Sequence, residues 1–390
     1  MLNIFRKSWA ASRFVAVLLA LCAAQASAQP SHNAHIQFVN VADSTQGLSE
    51  LSQFPAINNQ GSVAFVATQG DDQKVFKSEY NRLSEIASTG TKPFTFFTDD
   101  VAMNDAGIVS FRSILSTGQR AAGIFTSDGF TTKTIVDSAA QGFPGFGIGT
   151  PSINASGTVA FQAFRSGFRS NVVFTGDGGS ITPIVDTLTS NFLTFGAAAI
   201  NASGEIVFEG VQQDRSAGVF IAKPRRDEAD SSMPGPVSVI DVFDTNTNPD
   251  FFDFGDPVIS NAGIVADFAG GGGKVEIFSG NGKGIAARND PANSHFIDIE
   301  HPSINSHGAI AFSAIKADGD QCIFAELSGG SSLITVLHSR DPLFGSTVTA
   351  VNVGRFALND HFRLAFEYEL LDGRTGIAMA VLRRDEEDDD

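Results

Sequence analysis

Six carboxylates recur in segments rich in phenylalanine: Asp99 and Asp100, Asp253 and Asp256, Asp298 and Glu300. Paired acids are what glycoside hydrolysis uses, and they also hold divalent cations through oxygen. With 43 acids in 390 residues, neighbouring carboxylates also arise from composition alone. The pairing therefore assigns no reaction by itself. Histidine adds little. His295, His301 and His307 are spaced by six, a period that suits neither a helix face nor a strand face for one metal. His307 and His361 take the same place in separate repeat units. Cys322, in the apolar run CIFAEL, reads as a buried small hydrophobe. There is no Gly-x-Ser-x-Gly elbow, phosphate loop, His-Glu-x-x-His, paired Cys-x-x-Cys or Asp-x-Asp-x-Asp-Gly calcium loop. No catalytic set, cofactor or metal site is assigned.

The aromatic residues of those segments offer a second chemistry. Phe97, Phe146, Phe195 and Phe254 close the stretches PFTFF, GFPGF, NFLTF and DFFDF. They either wedge between structural units as core or line an apolar mouth for a ligand. With Asp100 and Asp253 they make the candidate ligand-binding set, on the face away from the repeated turns described next.

The element that must position them is a repeated phrase, Asn-x-x-Gly-x-Val-Ala-Phe. It appears as INNQGSVAF from Ile57, MNDAGIVSF from Met103, INASGTVAF from Ile153, INASGEIVF from Ile200 and INSHGAIAF from Ile304. Degenerate copies are ISNAGIVAD from Ile259 and LNDHFRLAF from Leu358. A type I turn favours Asn first and Gly fourth, and Gly accepts the positive φ of a bulge. The Asn side chain can accept from the backbone two residues on. The pairs Asn58 and Gly61, Asn104 and Gly107, Asn154 and Gly157, Asn201 and Gly204, and Asn305 and Gly308 are therefore structural hairpin turns. Val-Ala-Phe is period-two strand packing. Asn154 and Asn201 lie in glycosylation sequons but read as turn residues like their equivalents.

Each unit holds four short strands between turn signals. The unit spacings run from 45 to 59 residues, the length of a four-stranded propeller blade. The last unit stops after three strands, and the segment from His35 to Asp43 supplies one spare strand. The expectation is an all-β, seven-bladed β-propeller of four-stranded blades, its ring closed by the N-terminal strand so that no sheet edge stays open.

The phrase resembles that of a tandem-repeat family of exported bacterial proteins described by an Asn-x-x-Gly-x-x-Ala-Phe motif. The resemblance rests on five good copies and covers nearly the whole chain after residue 28. Members typically carry a C-terminal surface-sorting anchor. Here only RRDEEDDD follows Leu382, which implies release into periplasm or medium. The resemblance implies location and fold, and no known activity.

Residues 1–28 have the build of a signal peptide: Arg6, Lys7 and Arg13, an apolar run from Phe14 to Ala24, and Ala26-Ser27-Ala28 for cleavage. Residues 29–384 are then one propeller domain and 385–390 an acidic, disordered tail. No other stretch is long and apolar enough to span a bilayer. The net charge of −17, more negative still without the leader's cations, argues against nucleic acid as a partner. The 59-residue unit carries an insertion, Lys223 to Pro236, read as a surface loop. These observations favour an exported monomer that binds a protein or glycan without catalysis. The alternatives are an extracellular glycan hydrolase or lyase using mouth carboxylates, and a structural matrix component.

Overall fold

The computed structural model describes residues 36–382, apart from 80–81, 119–120, 148, 166, 224–236, 273, 282–284, 289–295 and 328–332. The leader, nearly all of the insertion, the acidic tail and His295 lie outside the described residues. The described chain folds as seven antiparallel sheets arranged as the blades of a propeller. Blade 3 shows the plan. Ser152–Ile153 is innermost, followed outward by Val159–Arg165, Ser170–Gly176 and Thr182–Asp186. In blade 7 the chain itself supplies Ser346–Asn352, Arg363–Leu370 and Thr375–Val381, and the outermost strand is Gln37–Asp43. It pairs antiparallel with Thr375–Val381, Gln37 opposite Val381 and Asp43 opposite Gly376. Tyr368 Oη donates to Asn40 Oδ1 at 3.1 Å, tying this strand to the second strand of the same blade.

The phrase supplies the core. Its phenylalanines, Phe65, Phe111, Phe161, Phe208, Phe312 and Phe366, are all buried. Five of them face a phenylalanine directly across the ladder: Phe76, Phe125, Phe174, Phe220 and Phe324. The ring centroids lie 5.5 to 5.9 Å apart. Aromatic cross-strand pairs add about 0.5–1.5 kcal/mol each beyond the area they bury. The small residue between Val and Phe is buried as well, for example Ala160 and Ala311. Central strands are thus covered on both faces by neighbouring blades.

The turns are built as the residue types demand. In blade 3, Gly157 N–H donates to Asn154 O at 3.0 Å, and Thr158 N–H donates to Asn154 Oδ1 at 3.0 Å. Gly157 takes φ of +83°. In blade 7 Phe362 occupies the glycine place with φ of +55°, a conformation that costs a side-chain-bearing residue about 1 kcal/mol or more.

Candidate functional site

Each turn asparagine has a second task that turn chemistry alone does not reveal. Asn58 Nδ2 donates to Asn104 O, Asn104 to Asn154 O, and Asn154 to Asn201 O. Asn201 donates to Ser260 O, Asn305 to Asn359 O, and Asn359 back to Asn58 O. The side-chain amides form a belt running from blade to blade around the axis. Only Ser260, too short to reach blade 6, interrupts it; its Oγ accepts the turn N–H of Ile264 instead.

Inside this belt lies a cavity of about 150 Å³, lined by residues of all seven blades. Its floor is Arg355 and Phe356 from blade 7. Phe356 packs against the cores of blades 1 and 2, 2 and 3, 4 and 5, and 5 and 6, which puts it on the axis.

Arg355 stands four residues before the turn asparagine of its blade. The equivalent residues elsewhere are Phe54, Asp100, Thr150, Ala197, Asp256 and His301. In a chain this repetitive, one position carries six different residue types across seven blades, and the structure brings its charged members together. Asp100 is within electrostatic reach of His301, Asp256, Arg355 and Asp99. His301 Nε2 lies 3.7 Å from Asp256 Oδ2, and its ring meets Phe54 edge-on at 5.8 Å. Arg355 donates through Nη2 to Pro257 O at 2.6 Å and more weakly to Ala198 O.

A further acid completes the cluster. In blade 5 the phrase ends in Asp267, in the place where the better copies have phenylalanine. It is fully buried and opposite Phe278, and it interacts with Arg355, Asp256 and Glu209. One oxygen accepts from Phe268 N–H at 2.8 Å. Among the described residues Asp267 Oδ2, Asp256 Oδ1, His301 Nδ1, and Arg355 Nε and Nη1 have no hydrogen-bond partner. Unpartnered buried polar atoms are costly, so their concentration around one axis marks a place reserved for something other than packing.

The electrostatics agree. Burial pushes the Asp267 carboxyl well above the ordinary range, and Glu209 and Asp256 push it further. Burial also raises Asp100, with Asp256 and Asp99 adding to the shift and His301 and Arg355 opposing it. Glu300 is raised by burial and by Asp298, against His301. Asp99 is raised by burial and by Glu50. Acids outnumber cations here, and several hold their protons into a range where exposed carboxylates have lost them. A raised carboxyl beside charged neighbours is also what acid–base chemistry requires. Among the described residues no group of three or more His, Cys, Asp or Glu is disposed to hold a metal.

The sequence-derived set divides. Asp100 belongs to the axial cluster, with Asp99, Asp256 and Glu300 around it. Asp253 is exposed at the start of its blade, paired with Gly270. Phe97, Phe146, Phe195 and Phe254 are buried between blades against Phe111, Phe161, Phe208 and Phe243. In blades 2 and 4 a buried phenylalanine at each end brackets two exposed residues, so Phe97 and Phe195 return to the core. Exposed apolar residues one or two places earlier, Leu193, Phe252 and Ile297 in blades 4, 5 and 6, take the outward positions instead. Arg355, His301 and Asp267 were missed. Their signal was present as departures from the repeat at fixed positions.

A family model matches residues 17–382. The chain belongs to DUF7453, a family of unknown function. No curated protein matches it. Among solved structures it is similar to apo prolyl oligopeptidase B from Galerina marginata, with 9% identity, 86% of this chain and 49% of that chain covered, and a TM-score of 0.54. It is also similar to a prolyl endopeptidase, with 13% identity, 86% and 47% covered, and a TM-score of 0.52. The β-propeller domain of the Trilobed protease from Pyrococcus furiosus matches at 10% identity, 84% and 95% covered, and a TM-score of 0.49. This family member spans about half the length of the two prolyl peptidase chains. At such identities the likeness is one of fold alone. Among the described residues no helix is long and apolar enough to cross a membrane.

Proposed function

We propose that this chain is an exported, non-enzymatic propeller that binds a protein or glycan partner at its axis, from the end opposite the asparagine turns. The observation that carries the reading is the one position per blade where the repeat gives way to Phe54, Asp100, Thr150, Ala197, Asp256, His301 and Arg355. Stability alone would favour uniform apolar packing there. The seven-residue belt instead keeps ionisable groups and unpartnered polar atoms on the axis, a cost that a bound ligand would offset. The exposed Leu193, Phe252 and Ile297 in successive blades add an apolar border that suits a large partner.

A second reading is favoured by the raised Asp100 and Glu300 carboxyls: a glycan hydrolase or lyase, with a protonated acid beside an ionised one. A panel of polysaccharides and peptides, scored for both retention and cleavage, separates the two. The expected result is retention without turnover, lost in a folded Asp100→Asn variant. Turnover that disappears in Asp100→Asn would replace the binding reading with the enzymatic one.

A further inference from the structure

The axial cluster has a composition that selects its ligand. Its acids Asp100, Asp256 and Asp267 interact with Arg355 at the floor, and Asp100 interacts with Arg112 as well. Both guanidiniums are already engaged, Arg112 with Gly147 O at 2.8 Å and Arg355 with Pro257 O. The acceptors left over are Asp256 Oδ1 and Asp267 Oδ2, on residues 8% and 0% exposed. The donors left over are Arg355 Nε and Nη1, on a residue 5% exposed, and Arg112 Nε, with His301 Nδ1 also unpartnered. One wall is aromatic, where the half-buried Phe54 meets His301. A ligand that suits this set brings positive charge to the carboxylates and a cation for an aromatic wall. The unpartnered groups of Asp256, Asp267 and Arg355 sit on residues at most 8% exposed, so the charge must arrive on a slender chain. Among the described residues the carboxylates do not form a metal set.

We infer that the axial belt binds a primary ammonium group carried on a slender chain, entering from the end opposite the asparagine turns to lie between Asp100, Asp256 and Phe54. This rests on the axial binding site proposed above and names its ligand chemistry. Two sources share that chemistry: a lysine side chain of a partner polypeptide, and a free polyamine.

The test is calorimetry on the full chain with four probes: a blocked Gly-Lys-Gly peptide, the same peptide acetylated at Nε, cadaverine and spermidine. The lysine peptide or the amines should bind, and Nε-acetylation should abolish binding of the peptide. Stronger binding of the peptide assigns the site to a protein lysine; stronger binding of cadaverine or spermidine assigns it to a polyamine. Asp100→Asn and Asp256→Asn should each weaken binding at least about tenfold. Phe54→Leu should weaken it a few-fold, and Asp253→Asn should leave it unchanged. Two acid variants are used so that a folding defect in one, visible in its melting curve, leaves the other to decide. The inference is overturned if the acetylated peptide binds as well as the free one, if Asp253→Asn matches Asp100→Asn, or if no ammonium probe binds. If no ammonium probe binds while a glycan or peptide from the panel is still lost in Asp100→Asn, only the ligand class falls. If no ligand depends on Asp100 at all, the axial binding site falls with it.

Discussion

At the scale of single residues, the asparagine of the phrase carries two loads. Its Oδ1 organises its own turn, and its Nδ2 ties that turn to the next blade. Asn359→Ala removes both and leaves Asn58 O without its amide donor at a buried site. The expected cost is about 1–3 kcal/mol. Ser260 is the converse case. Ser260→Asn supplies the missing amide opposite Asn305 O and should stabilise the ring by about 0.5–1.5 kcal/mol. Denaturant melts of both variants check the pair; equal, negligible shifts would mean that the amide belt has no mechanical role. The turn role was legible in the sequence, because Asn-x-x-Gly states its own local geometry. The belt was not, since it depends on how far one blade stands from the next. Asp267 marks the same boundary. As a letter it made its copy look merely degenerate; as a side chain it is a buried acid where other blades bury a ring.

At the scale of elements, the strand Gln37–Asp43 is the piece whose removal reaches furthest. Without it Thr375–Val381 becomes an open edge, and Phe38, which meets Phe366 edge-on at 6.0 Å, is lost from blade 7. A chain lacking residues 29–44 should melt well below the chain that retains them. Identical melting temperatures would show that the ring does not need this strand. Both the blade count and this pairing were readable from repeat spacing and from counting strands at the two ends. The orientation of the inner strands was not. Those of blades 2 and 4 contain a register shift, between Phe97 and Val101 and between Phe195 and Ala198. A shift of that kind changes which residues face the axis. Beside these shifts Phe97 and Phe195 are core, while Asp100, at the shift itself, is on the axis.

At the scale of the molecule, buried acids set how stability responds to pH. Glu367 is pushed up to about 8, chiefly by burial, with Glu369 adding and the hydrogen bond from Asn352 opposing. Its folded form keeps a proton that the unfolded chain loses near its ordinary value of 4.5. The contribution is fully present below that value and is lost as pH rises through about 8, at about 1.4 kcal/mol per pH unit at most. Asp267, Asp100 and Glu300 are raised too and act in the same direction. Asp128, Asp214 and Asp372 are lowered, but they sit at the surface, where solvent screens their effect. Stability should therefore fall from mildly acidic to mildly alkaline pH. Glu367→Gln, which keeps the amide-sized shape without the charge, should flatten part of that slope. Thermal melts from pH 5 to pH 9 measure it, and a rising profile would contradict the assignment of these buried protons.

The latch that closes blade 7 also imposes an order of events. Asn40 and Tyr368, which it joins, are 328 positions apart. The strand synthesised first must wait for the strand synthesised last, and until then no growing intermediate can complete the circle. Six blades can assemble in sequence as they are made, but the ring cohesion that holds the axial residues in place arrives only with the final blade. Binding competence should therefore appear all at once, when the chain is whole, and a truncated product would be excluded from function without any dedicated check.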